Sequence, residues 1–198
     1  MRNLETPTYK LMLYGGHSSL GSAVLAEALQ RQYEATAVLA ELNSLRARPG
    51  LRTRIGDLFD PLGISRSVAG MDAVVVLLDT EPSSVPRHCN TLLALLDGLE
   101  LAGVTRLMVV GDFAWLEDDS TASTPAHHLR ERLLSSPLAW TLVQAPEQPA
   151  GRLEIDDFVE PDASALPLQR FAAALLDELR LALHRHQRIH IDPHGGQD

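Results

Sequence analysis

The sequence predicts an α/β fold, with a doubly wound parallel sheet in a single domain over residues 1–198. Two observations support this prediction. Short apolar runs alternate along the chain with segments whose apolar residues recur at helical spacing. The run DAVVVLLD is also apolar throughout, which is typical of a strand covered on both faces. No repeat or low-complexity linker interrupts this order, and we expect frayed tails over residues 1–8 and 192–198.

The apolar runs predict seven strands and four helices. In chain order the strands are YKLMLYG, ATAVLA, LRTRI, DAVVVLLD, TRLMVVG, AWTLVQA and RIHI. The helices are SAVLAEALQRQ, PRHCNTLLALLDGLELAG, HHLRERLLSS and a segment of ASALPLQRFAAALLDELRLALHRH. We expect Gly103 to close the second helix. The last helix is predicted to place on one side Phe171, Leu175, Leu176, Leu179 and Leu183.

Composition limits the partners of this chain. Its formal charge is -9 and its single lysine is Lys10, so binding to nucleic acid or to anionic lipid is not expected. The apolar runs are far shorter than the ~20 residues that span a bilayer, and we expect no membrane insertion. The only cysteine, Cys89, cannot form an intramolecular disulfide, and no secretory signal pattern is found. A cytoplasmic location is therefore expected.

The stretch YGGHSSLG, residues 14–21, lies between the first predicted strand and the first helix. Gly15, Ser18 and Gly21 follow a G-x-x-G-x-x-G spacing in which serine replaces the middle glycine. Gly15 permits a tight turn, Gly21 permits close helix packing, and amides at the helix start can face an anion. Ser18 stands where the backbone approaches a pyrophosphate most closely. Its side chain either fills ligand space or supplies a hydroxyl, unless the loop only connects two elements.

Much of the chain resembles the atypical short-chain dehydrogenase/reductase (SDR) group, which includes NmrA-like proteins and flavin or biliverdin reductase-like enzymes. The resemblance rests on LMLYGGHSSLGSAVLAEAL, RPGLRTRIGDLFDP, VAGMDAVVVLL, VTRLMVVG and LAWTLVQAPE. It implies a Rossmann-type fold with strand order 3-2-1-4-5-6-7 and, in ordinary members, NAD(P) binding.

The resemblance also implies where a cofactor would lie. Asp57 matches the acid that contacts the adenine amino group, with Leu58 lining the adenine pocket, although Asp57 could equally serve a turn. The predicted cofactor-binding residues are Gly15, Gly16, His17, Ser18, Ser19, Leu20, Gly21, Asp57, Leu58 and Leu77. Because of the altered glycine motif, we expect NAD or NADP to bind weakly or not at all.

Two further positions depart from the family pattern. Ala40, followed by Glu41, replaces the basic residue that pairs with the 2′-phosphate of NADP, so NADP selectivity is unsupported. Arg46 or Arg48 could reach that site, or could be solvated surface arginines. Residues 76–79 are bulkier than the family pattern and end in an aspartate, which would repel a pyrophosphate unless it is paired.

The catalytic Tyr-x-x-x-Lys pair of ordinary SDR enzymes has no counterpart. The three tyrosines, Tyr9, Tyr14 and Tyr33, lie early in the chain, and Lys10 lies in the first strand. This excludes tyrosine–lysine catalysis and leaves the catalytic residues unassigned.

Other side chains with reactive or aromatic groups follow the fifth strand. Asp112, His127 and His128 are candidate proton donors, but polar side chains of this kind are mostly surface residues. Phe113 and Trp115 could cover a flat ligand, a subunit contact or the edge of the core.

The C-terminal histidines His184, His186, His190 and His194 lack the spacing of a metal site, and no metal is predicted. Acidic residues at 117–119 and 154–162 are interpreted as solvated loops.

Two functions follow from these observations. The first is a degenerate Rossmann protein, with weakened or lost dinucleotide binding, that acts as a sensor, a scaffold or an interaction protein with a possible protein partner. The second is an NAD(P)H-dependent reductase of a flavin or another small aromatic ligand. Binding of a dinucleotide by the purified protein distinguishes them.

Overall fold

A computed structural model of the protein describes residues 8–39, 41, 45–79, 81, 84–116 and 124–193. Seven strands form one parallel sheet in the order β3-β2-β1-β4-β5-β6-β7, which confirms the order that the resemblance implied. The strands are β1 (Lys10–Tyr14), β2 (Glu34–Leu39), β3 (Leu51–Ile55), β4 (Ala73–Leu77), β5 (Arg106–Gly111), β6 (Ala139–Gln144) and β7 (Gln187–Ile189). The predicted fold class, a doubly wound α/β domain, is confirmed.

In the described part of the chain five α-helices cover the sheet, and most of them begin at a recognisable cap. They are α1 (Ser19–Gln30), α2 (Pro61–Val68), α3 (Val85–Ala102), α4 (Pro125–Ser135) and α5 (Leu166–Leu181). The hydroxyl of Ser18 caps α1, the Asp60 carboxylate caps α2 and the Thr124 hydroxyl caps α4. Gly103, at φ +70°, closes α3 as predicted.

The core has two halves, one on each face of the sheet. Alternate residues of each strand point to opposite faces, so Leu11 and Leu13 of β1 pack with α1 and α5. Met12 and Tyr14 pack on the other face with α2, α3 and α4. Both faces of the central strands are therefore buried, which explains why DAVVVLLD shows no alternation.

Three details differ from the sequence prediction. Helix α2 was not predicted, because its pattern of apolar residues spans only eight positions. Helix α5 ends at Leu181, since Ala182 adopts a left-handed conformation with φ +49°. Leu183 therefore lies in a turn and is 68% exposed, so the prediction that it shares a helix face with Phe171 was wrong. Strand β7 begins one residue before the predicted RIHI and ends two residues earlier.

A buried ion pair joins β5, β6 and α5. The guanidinium of Arg106 donates to the main-chain oxygens of Ala139, Leu179 and Glu178, to the Thr141 hydroxyl and to the Glu178 carboxylate. The second carboxylate oxygen of Glu178 lies 2.8 Å from Nδ1 of His184. Every polar group of this set has a partner, as stable burial of charge requires.

The two edges of the sheet are of different kinds. Among the described strands β3 pairs with β2 alone, and it exposes the side chains of Arg52 and Arg54. At the other edge, β7 has three residues. Over the residues that the structure describes, no helix combines the length and apolar character needed to cross a membrane. The outer parts of the predicted tails, residues 1–7 and 194–198, lie outside the described residues.

Candidate functional site

A cleft of about 690 Å³ opens at the carboxyl ends of β1, β3 and β4. This is where ligands bind in open parallel sheets, because the strand order reverses beside β1. Seven of the ten residues predicted from the sequence line it, namely Gly15, His17, Ser18, Leu20, Asp57, Leu58 and Leu77. Gly16, Ser19 and Gly21 are buried behind the cleft wall and do not line it.

The outer glycines of the first loop are required by packing alone. Gly15 has φ +90°, and a Cβ there would lie 2.8 Å from the main-chain oxygen of Leu77. A Cβ on Gly21 would lie 2.5 Å from the Gly15 oxygen. Both contacts are with backbone that cannot move aside. These glycines therefore fix how α1 meets β1 and β4, whether or not a ligand binds.

Ser18, the residue in place of the middle glycine, uses its hydroxyl within the loop. Its Oγ accepts a hydrogen bond from the Gly21 amide at 2.9 Å and donates to the Gly15 oxygen at 3.2 Å. The amides of Ser19 and Leu20 have no acceptor among the described residues, as expected for the first turn of a helix. Two amides at the helix start therefore stay available to an anion, while a third is taken by the serine.

The side chain of Ser19 contacts the loop after β6. Its Oγ accepts a hydrogen bond from the Leu153 amide at 2.9 Å and donates to the Gly151 oxygen at 3.4 Å. It therefore fastens the loop after β6 to the first turn of α1.

Asp57 follows β3 and lines the far end of the cleft. Its Oδ1 accepts the Phe59 amide at 2.8 Å, which is the turn role considered from the sequence. The carboxylate is exposed at the cleft wall, so its second oxygen stays open to a ligand.

Asp79, at the end of β4, is paired. Arg87 Nη2 lies 3.0 Å from Oδ2, and His88 Nε2 lies 3.3 Å from Oδ1. Burial raises the pKa of Asp79, but the Ser84 hydroxyl and the nearby His88 outweigh burial and hold this pKa below its usual value. The aspartate is therefore charged at neutral pH.

His88, in the cleft wall, is buried, with 4% of its surface exposed. The contact of its Nε2 with Asp79 does not have hydrogen-bond geometry, so this buried nitrogen is left without a hydrogen bond. Sequence reasoning missed His88 and Arg87. The available signal was their place in the first turn of the helix after β4, beside the strand end that carries Asp79.

Apolar side chains form the floor of the cleft, among them Val76, Leu78 and Val110. Tyr14 also lines it, and burial raises the pKa of this tyrosine to about 12. Its hydroxyl is therefore protonated at neutral pH, with no lysine beside it among the described cleft residues.

The candidates after the fifth strand lie outside this cleft. Phe113 is fully buried in the core, and Trp115 donates its Nε1 to the Asp112 main-chain oxygen at 2.6 Å. His127 lies 3.5 Å from Glu131, one turn along α4. Neither these residues nor Asp112 and His128 line the cleft, so the structure does not bring them to the predicted cofactor residues.

Arg46 and Arg48 also lie away from the cleft. Both contact Asp156, at 3.8 Å and 2.5 Å respectively. Ala40, the position implied to lack a 2′-phosphate contact, lies outside the described residues, while Glu41 is exposed.

The C-terminal histidines bind separate groups. His184 contacts Glu178, His186 Nε2 contacts the Leu138 main-chain oxygen at 2.7 Å, and His190 is exposed. His194 lies outside the described residues. In the part of the chain that the structure describes, no three metal-ligating side chains converge.

Comparison with known families decides the assignment. Residues 15–149, more than half of the chain, match the model of the NAD(P)H-binding family. The chain belongs to this family. The match covers the glycine loop, β2 to β6 and the side chains around Asp79 in the cleft.

Solved structures share the fold of this family member. A Burkholderia pseudomallei protein, provisionally described as an exported protein, is 25% identical, with 93% of this chain and 100% of that chain covered and a TM-score of 0.65. A provisionally named NADH-flavin reductase from Streptococcus pneumoniae is 22% identical, with 92% and 98% covered and a TM-score of 0.61. The Bordetella bronchiseptica enzyme WbmH, solved with NAD+, is 13% identical, with 93% and 75% covered and a TM-score of 0.66. The last two likenesses concern the fold alone.

Proposed function

We propose that this protein keeps the cleft of the NAD(P)H-binding family but binds dinucleotides weakly or not at all, and acts as a sensor, scaffold or interaction protein. The main support for this proposal is the negative charge of the cleft. Asp57, Asp79 and Glu81 line it, and the single lysine or arginine among its described lining residues is Arg87, which Asp79 holds. A pyrophosphate would meet more negative than positive charge.

Ser18 supports the same proposal. In the family pattern a glycine at this position lets the pyrophosphate approach the backbone closely. Here the Ser18 side chain stands at that position. Its hydroxyl is engaged with Gly15 and Gly21, so it is not free to replace the lost contact. The residues present do not fit a tightly held diphosphate.

The cleft still has the size of a ligand site. Its volume of about 690 Å³ lies within the range of small-molecule pockets, roughly 300–1,000 Å³. Apolar side chains form the floor, and Phe59, 53% exposed, lies at the wall. A nucleoside or another flat aromatic ligand fits this lining better than a diphosphate does.

Titration calorimetry with NAD and NADP tests the proposal on the wild type and on Ser18→Gly. We expect weak or absent binding to the wild type and a similar gain for both dinucleotides in the variant. Thr124→Gly is the matched control, because it removes a helix cap outside the cleft. Tight wild-type binding that Ser18→Gly weakens would show that the hydroxyl is itself a phosphate ligand, and the reductase function would then replace this proposal.

The second candidate is an NAD(P)H-dependent reductase of a flavin or another small aromatic compound. The apolar floor of the cleft favours it, since a flat ring would pack there. Oxidation of NADH by FMN or riboflavin, followed by absorbance, tests it. We expect no turnover of secondary alcohols, because the tyrosine–lysine pair is missing.

The cytoplasmic location is part of the proposal. Its support is that Cys89 is buried and unpaired, as a reducing compartment permits. Fractionation that recovers the protein outside the cytoplasm would contradict it.

A further inference from the structure

A second cavity, of about 260 Å³, lies beside α1 and shares no lining residue with the cleft. Three arginines from two separate segments converge on it: Arg46 and Arg48 from the connection before β3, and Arg152 from the loop after β6. Ser22 of α1 and Glu154 complete its polar lining. Such a concentration of guanidinium groups is unusual in a chain of net charge -9.

Several donors in this cavity lack an acceptor. Nε of Arg48 is buried without a hydrogen bond. Arg152 has no ion-pair or hydrogen-bond partner among the described residues, and Ser22, 2% exposed, has no side-chain hydrogen bond to any of them. Buried donors are normally satisfied, so the buried Nε of Arg48 indicates a missing acceptor. The exposed guanidinium of Arg152 and the Ser22 hydroxyl line the same cavity.

The backbone on both sides of Arg152 is held in place. The hydroxyl of Ser19 accepts the Leu153 amide and donates to the Gly151 oxygen, so one buried side chain fixes both neighbours of the arginine. Asp156 holds Arg48 from the same loop. The Arg48 guanidinium and the backbone that carries Arg152 are therefore positioned before any ligand arrives, which lowers the ordering cost of binding.

The charge balance of the cavity is positive. Asp156 is shared between Arg48 and the more distant Arg46, and Glu154 is the second acid. Three guanidinium groups against two carboxylates leave an excess of one positive charge. Arginine presents several N–H donors in a planar fork that matches the oxygens of a phosphate.

We propose that this cavity binds the phosphate group of a small phosphate monoester, with Arg48, Arg152 and Ser22 as donors. Its volume lies just below the range of pockets for drug-sized ligands, so it suits a phosphate with a small attached group. The proposal is independent of the function proposed for the cleft, because the two cavities have no lining residue in common.

Titration calorimetry of the full chain at constant ionic strength tests this proposal, with inorganic phosphate and ribose 5-phosphate as separate probes. Saturable binding is expected, and the stronger probe shows whether the cavity takes the free ion or an ester. Arg152→Gln is expected to weaken binding roughly tenfold or more, the loss of a charge-assisted hydrogen bond. Arg66→Gln makes the same charge change on an exposed position of α2 and should leave binding unchanged.

Asp156→Asn is expected to change phosphate affinity in the opposite direction. It removes the acid that competes for Arg46 and Arg48, so phosphate should bind more tightly than to the wild type. The proposal is overturned if wild-type phosphate binding is absent or survives in Arg152→Gln, or if Arg66→Gln weakens it equally. Competition by NADP but not NAD would also overturn it, since the cavity would then belong to the cofactor cleft. If the protein binds phosphate but not NAD, the result bears on the function proposed for the cleft and leaves the phosphate site supported.

Discussion

Two clusters of charged side chains in this protein differ in burial and in hydrogen bonding. The buried cluster consists of Arg106, Thr141, Glu178 and His184, and the cleft cluster consists of Asp79, Arg87 and His88. The Arg106 and Glu178 side chains are each 7% exposed, whereas Asp79 and Arg87 are 39% and 64% exposed. In the buried cluster each polar group has a hydrogen bond, while the cleft cluster leaves His88 Nε2 without one.

Because of this difference, we expect the buried cluster to contribute to stability and the cleft cluster to affect ligand binding. A buried charge must be fully paired, so removing one member leaves its partner in a low-dielectric interior. A cluster at the wall of a cleft is partly solvated and contributes little to folding. Its one buried nitrogen without a hydrogen bond, His88 Nε2, belongs to a residue that lines the cleft. The following variants test whether this contrast holds.

Arg106→Leu should have the largest effect. It leaves the Glu178 carboxylate buried without its cation, at an expected cost of about 3–5 kcal/mol in the free energy of unfolding. Urea denaturation measures this. Arg87→Leu is the matched control on the cleft cluster and should cost less than about 1 kcal/mol. Equal losses in the two variants would remove the contrast.

His184→Ala should have an intermediate effect. The change removes the ring nitrogen 2.8 Å from Glu178 Oε2, so that oxygen loses this partner while Oε1 keeps its bond to Arg106. We expect a loss of about 1–2 kcal/mol in urea denaturation. An unchanged unfolding free energy would indicate that water satisfies this oxygen.

Glu100→Gln tests a half-buried pair between α3 and α4. Hydrogen bonds from Arg132 and Ser136 outweigh burial and hold the pKa of Glu100 below its usual value. Because the folded pKa is lowered, the stabilisation is present above the unfolded pKa of 4.5 and is lost as pH falls through the folded pKa. The wild type should exceed the variant by at most about 1 kcal/mol near pH 7. A difference in unfolding free energy that grows on acidification would contradict this sign.

Asp79→Asn should change stability least, by less than about 1 kcal/mol, because the carboxylate is partly solvated. Its expected effect is on ligands: removal of one negative charge from the cleft should raise the affinity for NAD, by up to about tenfold. Calorimetry with NAD measures this, and adenosine, which has no phosphate, is the control ligand. A similar gain for adenosine would show that charge is not the cause.

The sequence was sufficient to predict the strands of the sheet and some of the residues that line the cleft. Apolar runs and helical spacing predict the strands because burial on both faces leaves a local pattern, and the resemblance supplies their order. Helix α2 has too few residues for such a pattern, although Asp60 followed by Pro61 is a cap signal. Leu183 was misplaced because spacing alone does not show that Ala182 ends the helix in a left-handed conformation.

The polar part of the site was harder to predict, because its contacts join distant segments. The Ser19 hydroxyl binds a loop more than a hundred residues away, and Arg48 pairs with Asp156 across a similar separation. Neither contact has a local sequence signature. His88 and Arg87 lie on the first turn of a helix that otherwise reads as core, and only the fold shows that this turn reaches Asp79.

The edge strand β3 has a consequence for the behaviour of the protein at high concentration. A free strand edge offers unpaired backbone groups to any second chain, which can extend the sheet and start aggregation. The exposed side chains of Arg52 and Arg54 place like charges on every copy at this edge, so two copies approaching through β3 repel each other. These two arginines thus protect colloidal stability, and replacing both by threonine should promote aggregation on storage, as light scattering would detect.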